Sequence, residues 1–563
     1  MVNTKALSAQ EHAANFTSKQ RTIALVVVSL AFVMDLLDST IVNIAIPSIR
    51  SNLAATYSAI QWIVAGYSLA FAVLLVTGGR MGDVYGYKKV FMIGISGFTI
   101  ASFLSGISPN ADVLIAARLL QGSMAALMVP QVMSLMQVMY KPSERSGING
   151  LFGALGGMAA SLGPVIGGLL IKADAFGWDW RPIFLINVPI GVFGLFAALK
   201  YLPDGKSSHP LKIDILGTLI IIAAMLLFIF PLIQGREYGW PLWTYVMLVG
   251  SLPVFLLFAW WQRRKDSIDG SPLILPALFH EGSFRAGLLV NLIFEMAMIG
   301  FFLTFGLLLQ IGFDFSPIHA ALTGLPVAFG IAMTMALFGK TLPKLGRYAL
   351  TIGSSIMGAS LAITTLIARH YGVLIHSWQL IPSLLGVGIG MGMVFSALYA
   401  AVLNGVDPAH AGSASGTLSA VQQAGAAIGV ALIGVVFFGQ LSHSAPRSFV
   451  SVEPQVHTAL TTEHVPSTAQ TAIVNGIKDC FVDRSREQDT NVVPQSCKQA
   501  TSNAGSDKQL SAAITKVSLE ANTDNFTNAF RWSIIYTLGL LVVTAACTFL
   551  LPSRFKASAY NEV

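Results

Sequence analysis

Asp35 and Asp38 lie three residues apart in the stretch FVMDLLDST. The surrounding run, residues 23–47, is apolar and as long as a membrane-crossing helix. Residues three apart share one helical face. Removal from water disfavours the ionised carboxylate, and two neighbouring carboxylates disfavour ionising together. Such a pair could hold a proton and surrender it to a cation or to the opposite compartment. The plainer alternative is a polar helix contact satisfied by Thr40 or a neighbour. Two more ionisable groups have similar surroundings: Arg118 in LIAARLLQGSMAALMVP and Glu295 in LLVNLIFEMAMIGFFLTF. A charged group inside a bilayer marks a functional candidate. Arg118 has a rival reading, since it lies about two turns from the outer end of its stretch and could snorkel there.

Such residues need helices to hold them. The chain has 563 residues, 54% hydrophobic and only 11% charged, against about 25% charged in soluble domains. So few charges cannot cover a soluble surface, and the sequence is that of an all-α polytopic membrane protein. Fourteen apolar stretches are long enough to span: 22–46, 58–78, 90–108, 112–137, 148–171, 182–202, 213–232, 242–262, 284–311, 317–338, 347–368, 376–402, 412–438 and 529–551. Continuous runs of this length favour helices over barrel strands. The first run is too long for a cleaved signal segment, so it is expected to remain as a span. The net charge of +7 is assigned to cytoplasmic loops and not to nucleic-acid binding.

The basic residues are unevenly placed. With the N-terminus in the cytoplasm, Lys19, Arg21, Arg80, Lys88, Lys89, Arg263, Arg264, Lys265, Lys340, Lys344, Arg347, Arg554 and Lys556 fall on the cytoplasmic side. Arg50, Lys172, Arg181, Arg236 and Arg369 fall opposite. Both termini are then cytoplasmic, as an even number of spans requires. The expected plan is a cytoplasmic tail (1–21), a six-helix bundle (22–202), two inserted helices (203–262), a cytoplasmic linker (263–283), a second six-helix bundle (284–551) and a cytoplasmic tail (552–563). The second bundle is interrupted by a polar extracytoplasmic segment, 439–528, in which ALTTEHVPSTAQTAIVNGIKDCF and DKQLSAAITKVSLEA suggest short helices. Cys480 and Cys497 lie in that segment, where an oxidising compartment permits a disulfide; two free thiols are the alternative. The third cysteine, Cys547, is inside the last span.

The loops GGRMGDVYGYKKV and GKTLPKLGRYAL echo each other, with Gly79 and Gly86, and Gly339 and Gly346, each seven apart. Both join the second and third helices of a six-helix unit, so the bundles are candidate parallel repeats with a substrate site between them. By that repeat the span of Glu295 corresponds to that of Asp38, and both would face one cavity.

Four motifs carry a family resemblance. Gly79, Asp83, Gly86 and Lys88 resemble the loop signature of the major facilitator superfamily, although Val84 and Tyr87 replace expected basic residues. In physical terms these residues make a tight turn, with Asp83 available to cap a helix or pair with a cation of the other bundle. GLFGALGGMAASLGPVIGGLL resembles the superfamily's antiporter signature: Gly163, Pro164, Gly167 and Gly168 match, after Gly153, Gly156 and Gly157. Small residues at this spacing let another helix pack closely, and Pro164 removes a backbone bond. Arg118, Gln121 and Gly122 resemble an element implicated in proton transfer. Asp38, Thr40, Asn43, Ala45 and Pro47 resemble the first-helix signature of the fourteen-spanner drug:proton antiporters; Asp35 stands on physics alone. WRPIFLINVPIG (Trp180, Arg181, Asn187, Pro189) and AGSASGTLSAVQQAGAAIGVALIG also match and read as structural.

The resemblance covers nearly the whole chain except 439–528. It implies the major facilitator fold in a cell membrane, alternating access, and export of amphipathic, often cationic compounds in exchange for protons. The protein is then a transporter and not an enzyme. Asp35, Asp38 and Glu295 would bind proton or cation, and Arg118 would tune them. Met34, Phe294, Met296 and Phe301 would offer a tolerant apolar wall. The expected partners are lipid, protons and small amphipathic substrates, with no cofactor, metal or nucleic acid. A monomer is expected, and accessory export proteins stay open. Rival readings are a narrow metabolite exporter or importer, or a membrane sensor acting through 439–528. Two short matches are dismissed: GKT at 339–341 lacks the earlier glycine of a phosphate loop, and HEGSF at 280–284 lacks a second metal-binding His. Asn15 and Asn525 head glycosylation-type triplets, one on the wrong side of the membrane and one very close to it.

Overall fold

The computed structural model describes residues 18–553, apart from 141, 175–176, 208–210, 340, 403–405, 407–410, 463–464, 487–493 and 505–507. Some side chains within helices, chiefly at 142–161 and 500–516, also fall outside it. Asn15, Lys340, Arg554 and Lys556, and the surroundings of Gly153, Gly156 and Gly157, therefore lie outside the described residues.

Every regular element among the described residues is helical. The first six are α1 (Ser18–Leu53), α2 (Tyr57–Tyr85), α3 (Tyr87–Gly106), α4 (Ala111–Met139), α5 (Pro142–Ala173) and α6 (Pro182–Tyr201). Two more follow, α7 (Ile215–Gln234) and α8 (Leu242–Asp269). The second set is α9 (Gly282–Leu307, continued by a π turn through Gly312), α10 (Pro317–Phe338), α11 (Arg347–Tyr371), α12 (Ser377–Val402), α13 (Ala411–Thr462), α14 (Ser467–Arg486), α15 (Gln495–Ala504) and α16 (Lys508–Cys547). Thirteen of the described helices are long and apolar enough to cross a membrane. Helix α5, in the place of the fifth expected span, has 32 residues, of which Leu162–Ala173 forms a shorter apolar helix.

Local chemistry explains many of the ends. Thr56 accepts a hydrogen bond from the Ala59 N–H at 3.0 Å and starts α2, and Asn110 does the same for α4 through Val113 at 2.9 Å. Such caps satisfy donors that the first helical turn leaves free. Between α2 and α3 the chain reverses at one residue, Gly86, with φ +100°; only glycine adopts that angle without strain. Within α6, the helix is interrupted at Ile186, because Pro189 has no N–H for the carbonyl four residues before it.

The two sets pack by the same plan. In the first, α1 packs on α5 and α6, α4 on α2 and α3, and α3 on α6. In the second, α9 packs on α13 and α16, α12 on α10 and α11, and α11 on α16. The halves meet crosswise, α2 on α13 and α5 on α10. Helices α7 and α8 pack on each other, and α7 also touches α2 and α13. The inserted pair is fastened by Arg80 near the end of α2. Its buried guanidinium donates to the carbonyls of Lys212 (3.1 Å), Ser271 (2.9 Å), Leu273 (3.3 Å) and Pro272.

Three expected boundaries differ. Helix α8 runs seven residues past 262, to Asp269. The Lys265–Asp269 ion pair (2.8 Å) supports this last turn, and Gly270 ends it with φ +64°. The breaks at 438 and 529 do not exist. Helices α13 and α16 leave the apolar zone as rods of 52 and 40 residues, because a change from apolar to polar composition ends a span without ending a helix. Phe449, Val452, Val456 and Leu460 repeat at helical spacing along one face of α13. They pack on Ile473, Val474 and Ile477 of α14 and on Val517 and Ala521 of α16. The described residues of 439–528 thus form a helical cap with its own apolar core, and Cys480 and Cys497 are disulfide-bonded within it.

The disulfide closes a short loop, so its removal is predicted to cost the cap about 3 kcal/mol by chain entropy. Hydrogen exchange of Cys480→Ser/Cys497→Ser should show faster opening across α14 and α15 with unchanged protection in α1–α6. Equal protection of α14 and α15 in both proteins would contradict this.

Candidate functional site

Asp38 is fully buried at the centre of the first half, where four helices converge. One carboxylate oxygen of Asp38 takes an ion-paired hydrogen bond from Arg118 Nη1 on α4. The other accepts from Gln121 Nε2 at 2.7 Å and from Asn187 Nδ2, on α6, at 3.1 Å. Ser102 of α3 completes the ring, its hydroxyl accepting from both Gln121 (2.8 Å) and Asn187 (3.0 Å). Arg118 is 2% exposed. Its Nε donates to the Ile63 carbonyl (3.1 Å) and its Nη1 also to Gln121 Oε1 (2.8 Å). Its guanidinium lies 4.3 Å from the centre of the Tyr67 ring and 5.6 Å from that of Phe184.

Asp35 reaches a different partner. It is buried one turn away and accepts a hydrogen bond from the Tyr67 hydroxyl. Tyr67 therefore joins the carboxylates, with its hydroxyl on Asp35 and its face under the arginine that holds Asp38. The structure brings Asp35, Asp38 and Arg118 into one network. It turns Arg118 inward, buried against Asp38.

Glu295 stands apart, on α9 in the other half. It is 8% exposed, and no hydrogen bond or ion pair of its carboxylate is present among the described residues. Asn291, one turn earlier, has a buried Oδ1 without a hydrogen-bond partner. Opposite Glu295, Gly425 of α13 is so close that an added Cβ would come within 3.0 Å of the Glu295 Cβ. Tyr399 of α12 lies within electrostatic range of Glu295 and donates to Gln422 at 3.4 Å.

The glycines of α5 set how α1 is held. A side chain at Gly163 would strike the Thr40 hydroxyl, and one at Gly167 would meet Ile41 and Ile44 at 2.7 Å. A Cβ at Gly168 would lie 2.9 Å from the Ile318 Cα of α10, across the boundary between halves. Pro164 sits inside a helix that continues through it. Asp83 accepts from the Tyr87 hydroxyl (3.0 Å) within its own half, and Lys88 is 4.0 Å from the exposed Asp204. Gly79 faces Pro130 of α4.

Tyr67, Ser102 and Asn187 were not legible as site residues. Asn187 belongs to a matched motif and read as structural, while Ser and Tyr are too common in membrane helices to draw attention. The usable signal was that the buried ions Asp38 and Arg118 demand more partners than they supply each other.

Removing one partner of a buried ion pair strands the other. Arg118→Ala is therefore predicted to cost about 3–5 kcal/mol. Asp38→Asn should cost less, since an amide oxygen still accepts from Gln121 and Asn187. Thermal unfolding in detergent would check the order; equal, small losses would show that water reaches the pair.

Residues 28–430 match the family model described as Major Facilitator Superfamily. The chain is 38% identical over 539 residues, 95% of this chain and 92% of the other, to a probable actinorhodin transporter of Streptomyces coelicolor. It is 30% identical to the tetracenomycin C resistance and export protein of Streptomyces glaucescens, over 75% of this chain and 77% of that one. Among solved structures, the fold resembles a bacterial homologue of the human lysosomal transporter Spinster in an inward-facing, occupied conformation. That match has a TM-score of 0.56 and 16% identity, and covers 95% of this chain and 97% of the other. The helical plan, the matching halves and these relatives agree, and the chain belongs to the major facilitator superfamily.

Proposed function

We propose that the protein is a proton-coupled exporter of amphipathic drug-like or toxic compounds. The single observation that carries this reading is the buried Asp38–Arg118 pair, set in one of two matching helical bundles. A transporter needs a charge that can be neutralised at no cost in exposed surface. Protonation of Asp38 would remove the charge that holds Arg118, and Gln121, Asn187 and Ser102 would keep the neutral carboxyl in place. Arg118 would then reorganise over Tyr67, which also holds Asp35. The network therefore has two charge arrangements, as a two-state element requires. The name of the tetracenomycin C relative, which speaks of resistance and export, supports the direction of transport.

Movement would be a rocking of the bundle 22–202 against the bundle 284–551, a parallel-repeat plan known among transporters. At one end the halves are sealed by Gln61, which donates to the Val430 carbonyl at 3.0 Å, and by the Tyr57 and Phe438 rings, 4.2 Å apart. The cap lies beyond this end, which we assign to the outside, with both termini in the cytoplasm of a bacterial cell. The Gly163–Gly168 stripe lets α5 bear on α1 and α10 together, so a shift of the helix carrying Asp38 reaches the other half. Glu295 is assigned as a second, independent acidic group facing the cavity. The Gly86 hinge, with Gly79, Asp83 and Lys88, would let α2 and α3 move as a pair. The unit of action is a monomer.

Inside-out vesicles with an acid interior test the coupling, using permanently cationic and permanently anionic fluorescent dyes so that passive pH partition plays no part. At least one dye should be taken up, and a protonophore should collapse the uptake. Asp38→Asn should leave about a tenth of it or less. Gradient-independent uptake, or normal uptake in Asp38→Asn, would overturn the reading.

Gly168→Leu is predicted to reduce uptake several-fold, on the order of the coupling energies typical between sites, while the protein stays folded. The added side chain would hold α5 away from Ile318 and the outer seal open. Unchanged uptake would mean that this contact is not used.

A further inference from the structure

The inserted pair, α7 and α8, touches both halves but is bonded to them unequally. Toward the cytoplasmic end it is held to α2 by Arg80 and by the Thr77 and Thr218 hydroxyls, 2.8 Å apart. At the outer end the Ser58 hydroxyl of α2 donates to the Ile233 carbonyl at 2.9 Å, and the Ser58 N–H donates to Glu237 at 3.3 Å. Between these points the Phe230 ring of α7 lies 5.9 Å from the Trp62 ring of α2. Among the described residues, no hydrogen bond runs from α7 or α8 to α9–α16. The pair therefore belongs mechanically to the first half, and α7 meets α13 of the second half by packing.

One side chain extends that meeting to the outer seal. Arg236 lies in the turn between α7 and α8. Its guanidinium is 5.4 Å from the centre of the Tyr57 ring of α2 and 5.3 Å from that of the Phe438 ring of α13. These are the two rings that close the seal, 4.2 Å apart. One cation thus lies over a ring from each half, and both distances are within the range of a cation–π contact. Its buried Nη2 has no hydrogen-bond partner. The charge of Glu237 acts on it favourably, which offsets part of the cost of burying a guanidinium. Arginine suits the position, since its flat group stacks on rings and is more weakly hydrated than an ammonium. Tyr57 has a second cation, Arg50, 3.9 Å from its centre. Phe438 has no other among the described residues, so the contact that depends on Arg236 is the one across the seam.

We propose that Arg236 is a latch of the outer gate and that the inserted helices are the arm that carries it. The pair rides with the first half and lets go of the second when the outer ends part. When α2 and α13 separate, α7 stays on Ser58, Thr77 and Arg80, and Arg236 leaves Phe438. The ring contact exists only in the closed arrangement, so its loss shifts the balance toward the open one. This role rests on the rocking of the two bundles and not on proton coupling. It gives α7 and α8 a part in gating, beyond lengthening the chain between two six-helix units.

The test uses the full chain in nanodiscs without a proton gradient, with Cys547→Ala and the cap disulfide kept. Spin labels are placed in pairs at Ser51→Cys of the first half, Tyr245→Cys of α8 and His376→Cys of the second half, all exposed positions near the outer end. Pulsed electron resonance then gives the distances and the share of each. In Arg236→Gln the open-to-closed ratio, read between positions 51 and 376, should rise roughly tenfold. Arg236→Lys keeps a cation and should recover much of the closed share. In a Phe438→Leu background Arg236→Gln should add nothing, because the partner ring is already gone. The distance between 51 and 245 should stay the same in every variant, while that between 245 and 376 lengthens with opening. A merely structural Arg236 would instead loosen the pair from α2 and change the first of these. Gly168→Leu, expected to hold the seal open, is the positive reference. Opening in Gly168→Leu with none in Arg236→Gln, or a distance between 51 and 245 that changes with opening, would overturn the proposal. No opening in either variant would overturn the rocking reading and the latch with it.

Discussion

A carboxylate held out of water must be paired and hydrogen-bonded or give up its charge. Asp38 meets that constraint with groups from four helices, and much of the first half is arranged around the need. Helix α4 brings Arg118 and Gln121, α6 brings Asn187, α3 brings Ser102, and α2 brings Tyr67 beneath the guanidinium. Each partner is itself bonded to another member of the ring or to a backbone carbonyl. A change at any one is therefore felt by the rest, which is the behaviour expected of a connected polar network.

The same network explains why glycine dominates α5. Helix α1 is pinned from inside by its aspartates, so the helix behind it must fit closely without pushing. Gly163 and Gly167 leave room for Thr40, Ile41 and Ile44, and Gly168 passes the contact on to the backbone of α10. The halves repeat one another in their helix pairings, yet their polar contents differ. The first holds a saturated ionic network, the second a lone Glu295 with few polar neighbours. Arg80 ties the chain just before α7 (Lys212) and just after α8 (271–273) to the end of α2.

Much of the fold was legible because lipid leaves few choices. Apolar runs of span length mark helices whether or not their caps are recognised, and Asp35, Asp38, Arg118 and Glu295 stand out because ions are expensive there. The ends were less legible. The cap was visible as a polar segment, but α13 and α16 cross its borders without a break, since helix formation tolerates polar residues that a membrane does not. Pairing was the least legible of all. Asp83 was open to a partner on the other bundle and bonds Tyr87 four residues away. Asn187 reads as structural in the sequence and bonds Asp38 in the structure. A single sequence carries no information about which of many polar residues a fold will bring to one point.

We propose that protonation of Asp38 and binding of substrate exclude each other, and the rest of the account depends on it. Proton release can be followed directly, by adding the transported dye to purified protein in weakly buffered detergent solution containing a pH indicator. The account predicts release that saturates with the dye in the wild type and disappears in Asp38→Asn, while the dye still binds. Dye binding to the wild type without proton release, or release that survives in Asp38→Asn, would contradict it.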